Sequence, residues 1–196
     1  MSGCEILNLQ GKSDGAKRNW FDCSRNVAYL HVCMSIIWPP MTQKAIALAA
    51  KLLSEGERIV QFFAGLSDAQ WQARLYDHGA KWDVRGVFEH LIISERQLLQ
   101  LFEVIVRTGI GSPEGMDVDH LNLERTGTLS LLSYANLLLE YTLTRQQTVE
   151  FIHGLVDDQL ALQARHPAIG ISALEDQLKL VYLHHQMHVR DIKKAL

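Results

Sequence analysis

From Met41 onward the apolar residues fall at helical spacing. Ala45, Leu48, Ala49, Leu52, Leu53, Ile59, Val60 and Phe63 recur three and four apart. They predict a first long helix, which Gly65 ends. Ser67-Asp68-Ala69-Gln70 is a capping box and starts a short helix toward Tyr76. Asp77-His78-Gly79 reads as a turn. Asp83 is placed to N-cap a second long helix over about 84–108. Its apolar stripe is Val84, Val87, Phe88, Leu91, Leu98, Phe102 and Ile105. Gly109, Gly111, Pro113 and Gly115 then open a long loop through Asp117, Asp119 and His120. In a bundle such a loop is either a lid over a site or simply mobile. A third long helix is expected over about 129–155, with Asp157 and Asp158 just beyond it. A loop with His166-Pro167 and Gly170 follows. Ser172-Ala173-Leu174-Glu175 has capping-box spacing and predicts the start of the last helix. That helix carries Leu174, Leu178, Val181 and Ile192 on one face.

Four long helices and no convincing strand predict an all-α fold, a four-helix bundle over residues 41–196. Residues 1–40 do not share the pattern. Met1 to Asn26 is polar and mixed in sign, and an apolar run from Val27 to Trp38 is closed by Pro39-Pro40. About twelve residues are too few to span a membrane. As a signal peptide the leading region is too long, and Trp38-Pro39-Pro40 is a poor cleavage site. The preferred reading of 1–40 is a poorly ordered extension, with Met41 as an alternative start.

Composition narrows the chemistry. The formal net charge is -3 and no basic block exists, which argues against nucleic acid as partner. Cys4, Cys23 and Cys33 are the only cysteines. The bundle therefore has no disulfide, no thiolate nucleophile and no Cys metal ligand of its own, as expected of a cytoplasmic protein.

The strongest chemical signal is His184-His185-Gln186-Met187-His188. Histidines at i and i+4 project from one face of a helix, at a spacing that lets two imidazoles grip one ion. His185 is a rival, because 185 and 188 also share a face. The plain alternative is a histidine-rich turn near a helix C-terminus, where positive charge is favourable. His90, at the edge of the second helix's stripe, is the candidate third ligand. Taken alone it is more often a satisfied core residue. Glu95 falls within the same stripe, and a buried carboxylate needs a partner. It is a candidate catalytic base that orients a ligand from behind, or it bonds a tyrosine or backbone groups. A di-iron bundle needs Glu-x-x-His twice, and only Glu150-Phe151-Ile152-His153 has that spacing.

These pieces carry a resemblance. Trp82-Asp83-Val84, Val87-Phe88-Glu89-His90-Leu91 and Ser94-Glu95 resemble the second helix of the DinB-like (YfiT-like) metalloenzyme superfamily. His166-Pro167-Ala168-Ile169-Gly170, followed by His184-x-x-x-His188-x-x-Asp191-Ile192, resembles its final segment. The family usually has Gln where this chain has Asp191. The resemblance implies a four-helix bundle with a three-histidine site of His90, His184 and His188, and so favours His184 over His185. It further implies zinc or nickel as the ion, a homodimer and, in some members, a low-molecular-weight thiol cosubstrate.

Two functions follow as expectations. One is a metal-dependent enzyme with an open three-histidine site, a thiol-dependent S-transferase acting on small electrophiles. Asp117, Asp119 and His120 are then candidates near the substrate. The other is a non-catalytic metal-binding helical module with a stress-response or interaction role. A membrane-associated protein held through residues 27–38 is a third and weaker reading.

Overall fold

The structure is a computed structural model and describes residues 41–76, 82–116 and 127–196. The expectation for residues 1–40 lies outside them, as do Asp77-His78-Gly79, Asp117, Asp119 and His120. Four long helices are present: α1 (Gln43–Ala64), α3 (Val84–Thr108), α4 (Tyr134–His153) and α6 (Leu174–Ala195). Two single-turn helices join them, α2 (Asp68–Trp71) and α5 (Asp157–Leu160). No described helix is long and apolar enough to cross a membrane.

The caps explain most of the boundaries. The Thr42 hydroxyl accepts from Ala45 N, Ser67 forms a full capping box with Gln70, and the Asp83 carboxylate accepts from Gly86 N. Gly109 closes α3 in the left-handed region at φ 72°, where glycine escapes the Cβ clash. The expected start of the third long helix is corrected. Ser133 caps it by accepting from Asn136 N, so residues 129–132 form turns instead. Where the sequence suggests a loop after α4, the structure has helix α5; Asp157 and Asp158 sit in its first turn, where carboxylates interact favourably with the helix dipole.

Two further expectations are corrected. An antiparallel hairpin joins β1 (Gln163–His166) to β2 (Gly170–Ala173). Four-residue strands are too short for alternation to announce them. Ser172 belongs to β2 and caps nothing; α6 starts after Ala173 without a side-chain cap. Gln177 holds the hairpin to α6 instead, donating to Ala164 O at 2.8 Å and Ser172 O at 3.1 Å.

Helix α1 packs against α4 and α6, and α3 packs against the same two. The first and second long helices are therefore diagonal partners. One end of the core is aliphatic, with Leu48, Leu52, Ile105, Ile152 and Leu178. The other is aromatic, with Phe63, Trp71, Phe88 and Tyr141. Trp71 stacks on Tyr134 with ring centroids 4.6 Å apart, an offset pairing that adds to the area it buries.

Between these clusters lies a buried polar knot. Arg145 on α4 donates to Leu52 O on α1 at 3.1 Å, to Glu95 Oε2 on α3 at 3.0 Å and to His185 Nδ1 on α6 at 2.9 Å. Its Nη2, with two protons, also lies 3.1 Å from Tyr141 Oη, and that hydroxyl is 3.0 Å from His185 Nδ1. Gly56 makes room for it, since a Cβ there would lie 2.9 Å from Arg145 Cγ. A guanidinium only donates, so His185 Nδ1 is an acceptor and the ring proton sits on Nε2. That N–H faces Glu95 Oε2 at 3.9 Å.

Removing one partner of a buried ion pair strands the other charge. Glu95→Ala is expected to lower unfolding free energy by about 3–5 kcal/mol. The double change Glu95→Leu with Arg145→Met is expected to lose much less. Urea titration of the three proteins measures this; a single-variant loss under about 1 kcal/mol would show the pair to be solvated.

Candidate metal centre

His90 projects from α3, and His184 and His188 from successive turns of α6. The three imidazoles meet. His90 Nε2 lies 3.2 Å from His184 Nε2, which lies 3.0 Å from His188 Nε2. Among the described residues these three form the one group of His, Cys, Asp or Glu whose ligand atoms all fall within 4.8 Å of one another. Two nitrogens held tetrahedrally at about 2.05 Å from an ion stand about 3.3 Å apart, close to what is seen.

The surroundings set each ring. Tyr76 Oη donates to Asp191 Oδ2 at 3.3 Å and lies 3.0 Å from His188 Nδ1. A hydroxyl has one proton. With that proton on Asp191, the oxygen accepts from His188 Nδ1–H, which leaves Nε2 with a bare lone pair. Burial, and then the charge of Asp191, push the Tyr76 phenol up to about 12, so it stays a donor. Trp82 stacks on His90, centroids 4.7 Å apart. A small backbone bracket places both aromatic residues: Leu75 N and Tyr76 N donate to Trp82 O, and Val84 N donates to Ala73 O.

Burial holds the imidazoles neutral. It pushes His90 down to about 3 and His184 to about 4, with the other rings of the cluster adding to the effect. Burial lowers His188 as well, against the pull of Asp191. Neutral rings have one acceptor nitrogen each. Three Nε2 atoms at these separations cannot all be satisfied by shared protons, and a cation among them removes the conflict. The residues present therefore fit a divalent ion.

A cavity of about 640 Å³ opens beside His90 and His184. Leu98, Leu101, Leu180, Leu183 and Met187 give it apolar walls, and the hairpin turn and the 111–116 segment complete the lining. Gly111 is required here, because a Cβ would lie 2.4 Å from the Arg165 backbone. The close approach lets Ser112 N donate to Arg165 O at 2.8 Å.

The structure thus brings His90, His184 and His188 together and sends His185 the other way, into the polar knot. Adjacent helix residues are about 100° apart around the axis, so one serves the core and the other the site. Glu95 is buried and paired with Arg145, not with backbone groups, and the imidazole it approaches is that of His185. Burial pushes its carboxyl up while Arg145 draws it down. Glu95 is absent from the cavity lining, and its position is that of a structural ion-pair partner. Glu150 is exposed and His153 half-buried, so that motif takes no part. Sequence reasoning missed Tyr76 and Arg145. The signal for Arg145 was the run Tyr141, Thr144, Arg145, Thr148, which places polar groups on a buried helix face. Tyr76 carried no such signal, since its role depends on the bracket to Trp82.

No curated protein matches this chain. Among solved structures it is similar to YfiT from Bacillus subtilis, described as a probable metal-dependent hydrolase with an unusual four-helix bundle topology. The match has a TM-score of 0.64 and covers 79% of this chain and 87% of that one, at 18% sequence identity. At that identity the likeness is one of fold. The sequence model of the DinB superfamily matches residues 51–192, a span that includes all three clustered histidines, and the chain belongs to that superfamily.

Proposed function

We propose that this protein is a divalent-metal-dependent enzyme acting on a small, largely apolar substrate. The carrying observation is the convergence of three neutral imidazole nitrogens at the edge of an apolar cavity. His90, His184 and His188 would hold the ion, with zinc or nickel suited to an all-imidazole donor set. An ion so held would supply a double positive charge that acidifies a bound thiol or water. The residues around it have separate tasks. Asp191 and Tyr76 fix the His188 tautomer, Trp82 seats His90, and the apolar walls exclude water from the reacting groups. From Met41 to Leu196 the chain has no cysteine, so the nucleophile comes from solution. We read it as a low-molecular-weight thiol, which makes the reaction an S-transfer to a small electrophile. The description of YfiT as a probable hydrolase supports water as the second reading. Product analysis with and without added thiol separates the two.

Metal analysis tests the premise. Wild type incubated with zinc or nickel is expected to hold about one ion per chain, and His90→Ala and His188→Ala to hold almost none. A wild type that stays metal-free would remove the proposal. Tyr76→Phe keeps all three ligands but frees the His188 tautomer. It is expected to weaken metal affinity by about tenfold, read by competition with a chromophoric chelator.

The buried imidazoles also predict a pH dependence for the metal-free protein. Their folded values lie below the ordinary 6.5, near 3 for His90 and near 4 for His184 and His166. The unfolded chain therefore binds more protons across that interval. Their contribution to stability is complete above about 6.5 and is lost as pH falls toward 4. Melting followed by circular dichroism should show Tm dropping steeply over that range. A flat profile would mean that the rings are hydrated in the folded state.

A further inference from the structure

A second cavity, of about 400 Å³, lies between α1 and α6 and shares no lining residue with the one beside the histidines. Its floor is apolar: Ile59 and Val189 are buried and Phe62 is half-buried. Its rim is basic. Arg58 comes from α1, and Arg190, Lys193 and Lys194 come from the last two turns of α6. All four are exposed. Among the described lining residues Glu55 is the one carboxylate. This basic excess stands in a chain whose formal net charge is -3.

Ordinary causes account for part of the cluster. Cations in the last turn of a helix suit its dipole, which explains Lys193 and Lys194. That effect fades beyond the last turn and reaches neither Arg190 nor α1. Glu55 already accepts from Lys51 at 2.7 Å, from Arg58 at 2.8 Å and from Gln186 at 2.7 Å. Its charge is therefore answered, and it answers no other cation of the rim. Lys194 lies 3.9 Å from Asp191. Arg190 and Lys193 have no ion-pair partner among the described residues. They stand one turn apart on α6, where like charges repel. The Lys193 amine reaches across to α1 and sits 5.0 Å from the centroid of the Phe62 ring. Two neighbouring cations without a counter-charge thus border an apolar floor.

We propose that this groove binds a small phosphate monoester with an apolar body, the phosphate on Arg190 and Lys193 and the body on Ile59, Phe62 and Val189. A phosphate monoester carries about −1.5 to −2 charge near pH 7, so it answers both cations, where a monocarboxylate answers one. A guanidinium fork also takes two of its oxygens at once. The volume falls in the range of small-molecule sites, about 300–1,000 Å³. Residues 1–40 of the same chain are not a charge match, since they hold four Lys or Arg against three Asp or Glu. Arg190 stands two residues beyond His188, about 200° around the helix, so this site is separate from the metal centre and does not depend on it.

The test uses the full chain, after chelator treatment and again loaded with zinc. Calorimetric titrations compare 1-naphthyl phosphate, 1-naphthol and inorganic phosphate. Wild type is expected to bind the naphthyl ester at least about tenfold more tightly than inorganic phosphate, equally with and without zinc. Arg190→Gln and Lys193→Gln change exposed side chains, so both should fold and keep the metal content of wild type. Each is expected to weaken the ester about fivefold, and the two together by about twentyfold. Their affinity for 1-naphthol should not change. Raising salt from about 0.05 to 0.5 M should weaken the ester and leave the naphthol alone. An unchanged ester affinity in the double variant, or no ester binding to wild type at millimolar concentration, would overturn the assignment. So would ester binding that appears only with zinc, which would put the phosphate on the metal. Equal affinity for inorganic phosphate would leave the apolar floor without a role and overturn it too. Binding to phosphatidic acid vesicles without binding of the naphthyl ester would make this face a membrane contact instead.

Discussion

One guanidinium touches all four long helices. Arg145 is fixed on α4, and its bonds reach a carbonyl of α1, a carboxylate of α3 and an imidazole of α6. Apolar packing is tolerant of rotation and sliding; a planar fork with several fixed acceptors is not. A buried ion pair gives little net stability over an apolar core, but here it sets the rotation of α6. With His185 turned into the knot, the neighbouring strip of α6 that carries His184 and His188 meets His90. The site's geometry thus descends from an interaction in the core and not from contacts within the site.

The cavity depends on the irregular parts of the chain. The bundle supplies one wall through α3 and α6, and the hairpin and the 111–116 segment supply the other. These two pieces hold each other: Ser112 donates to Arg165 O, and Gly111 allows the backbones to meet. Gln177 then fastens the hairpin to α6. A short strand pair that adds only Ala164 to the bundle core therefore shapes the space beside the histidines.

The first two long helices were legible because each repeats its apolar period over several turns and starts at a recognisable cap. Asp83, Ser67 and Gly109 marked boundaries that the structure keeps. The hairpin was not legible: four residues per strand give too few alternations, and Ser172 and Glu175 imitated a cap. The i, i+4 spacing at 184 and 188 was legible as a pair, but choosing it over 185 needed the family resemblance. Which face of α6 meets the knot is fixed by Arg145, a tertiary contact that no local pattern encodes. Glu95 was legible as a buried carboxylate in need of a partner. The partner lay fifty residues away on another helix, beyond what spacing can show.

His90 and His184 are 94 residues apart in sequence. Everything that builds the far wall of the cavity, both the 111–116 segment and the hairpin, lies inside that interval. An ion held between α3 and α6 would thus be a cross-link. Closing so long a loop removes much of the freedom of the unfolded chain, and the ion's affinity for the folded form adds directly to stability. Loss of the ion would then loosen the wall that defines the pocket. Occupancy of the site and the shape of the cavity would then be parts of one equilibrium.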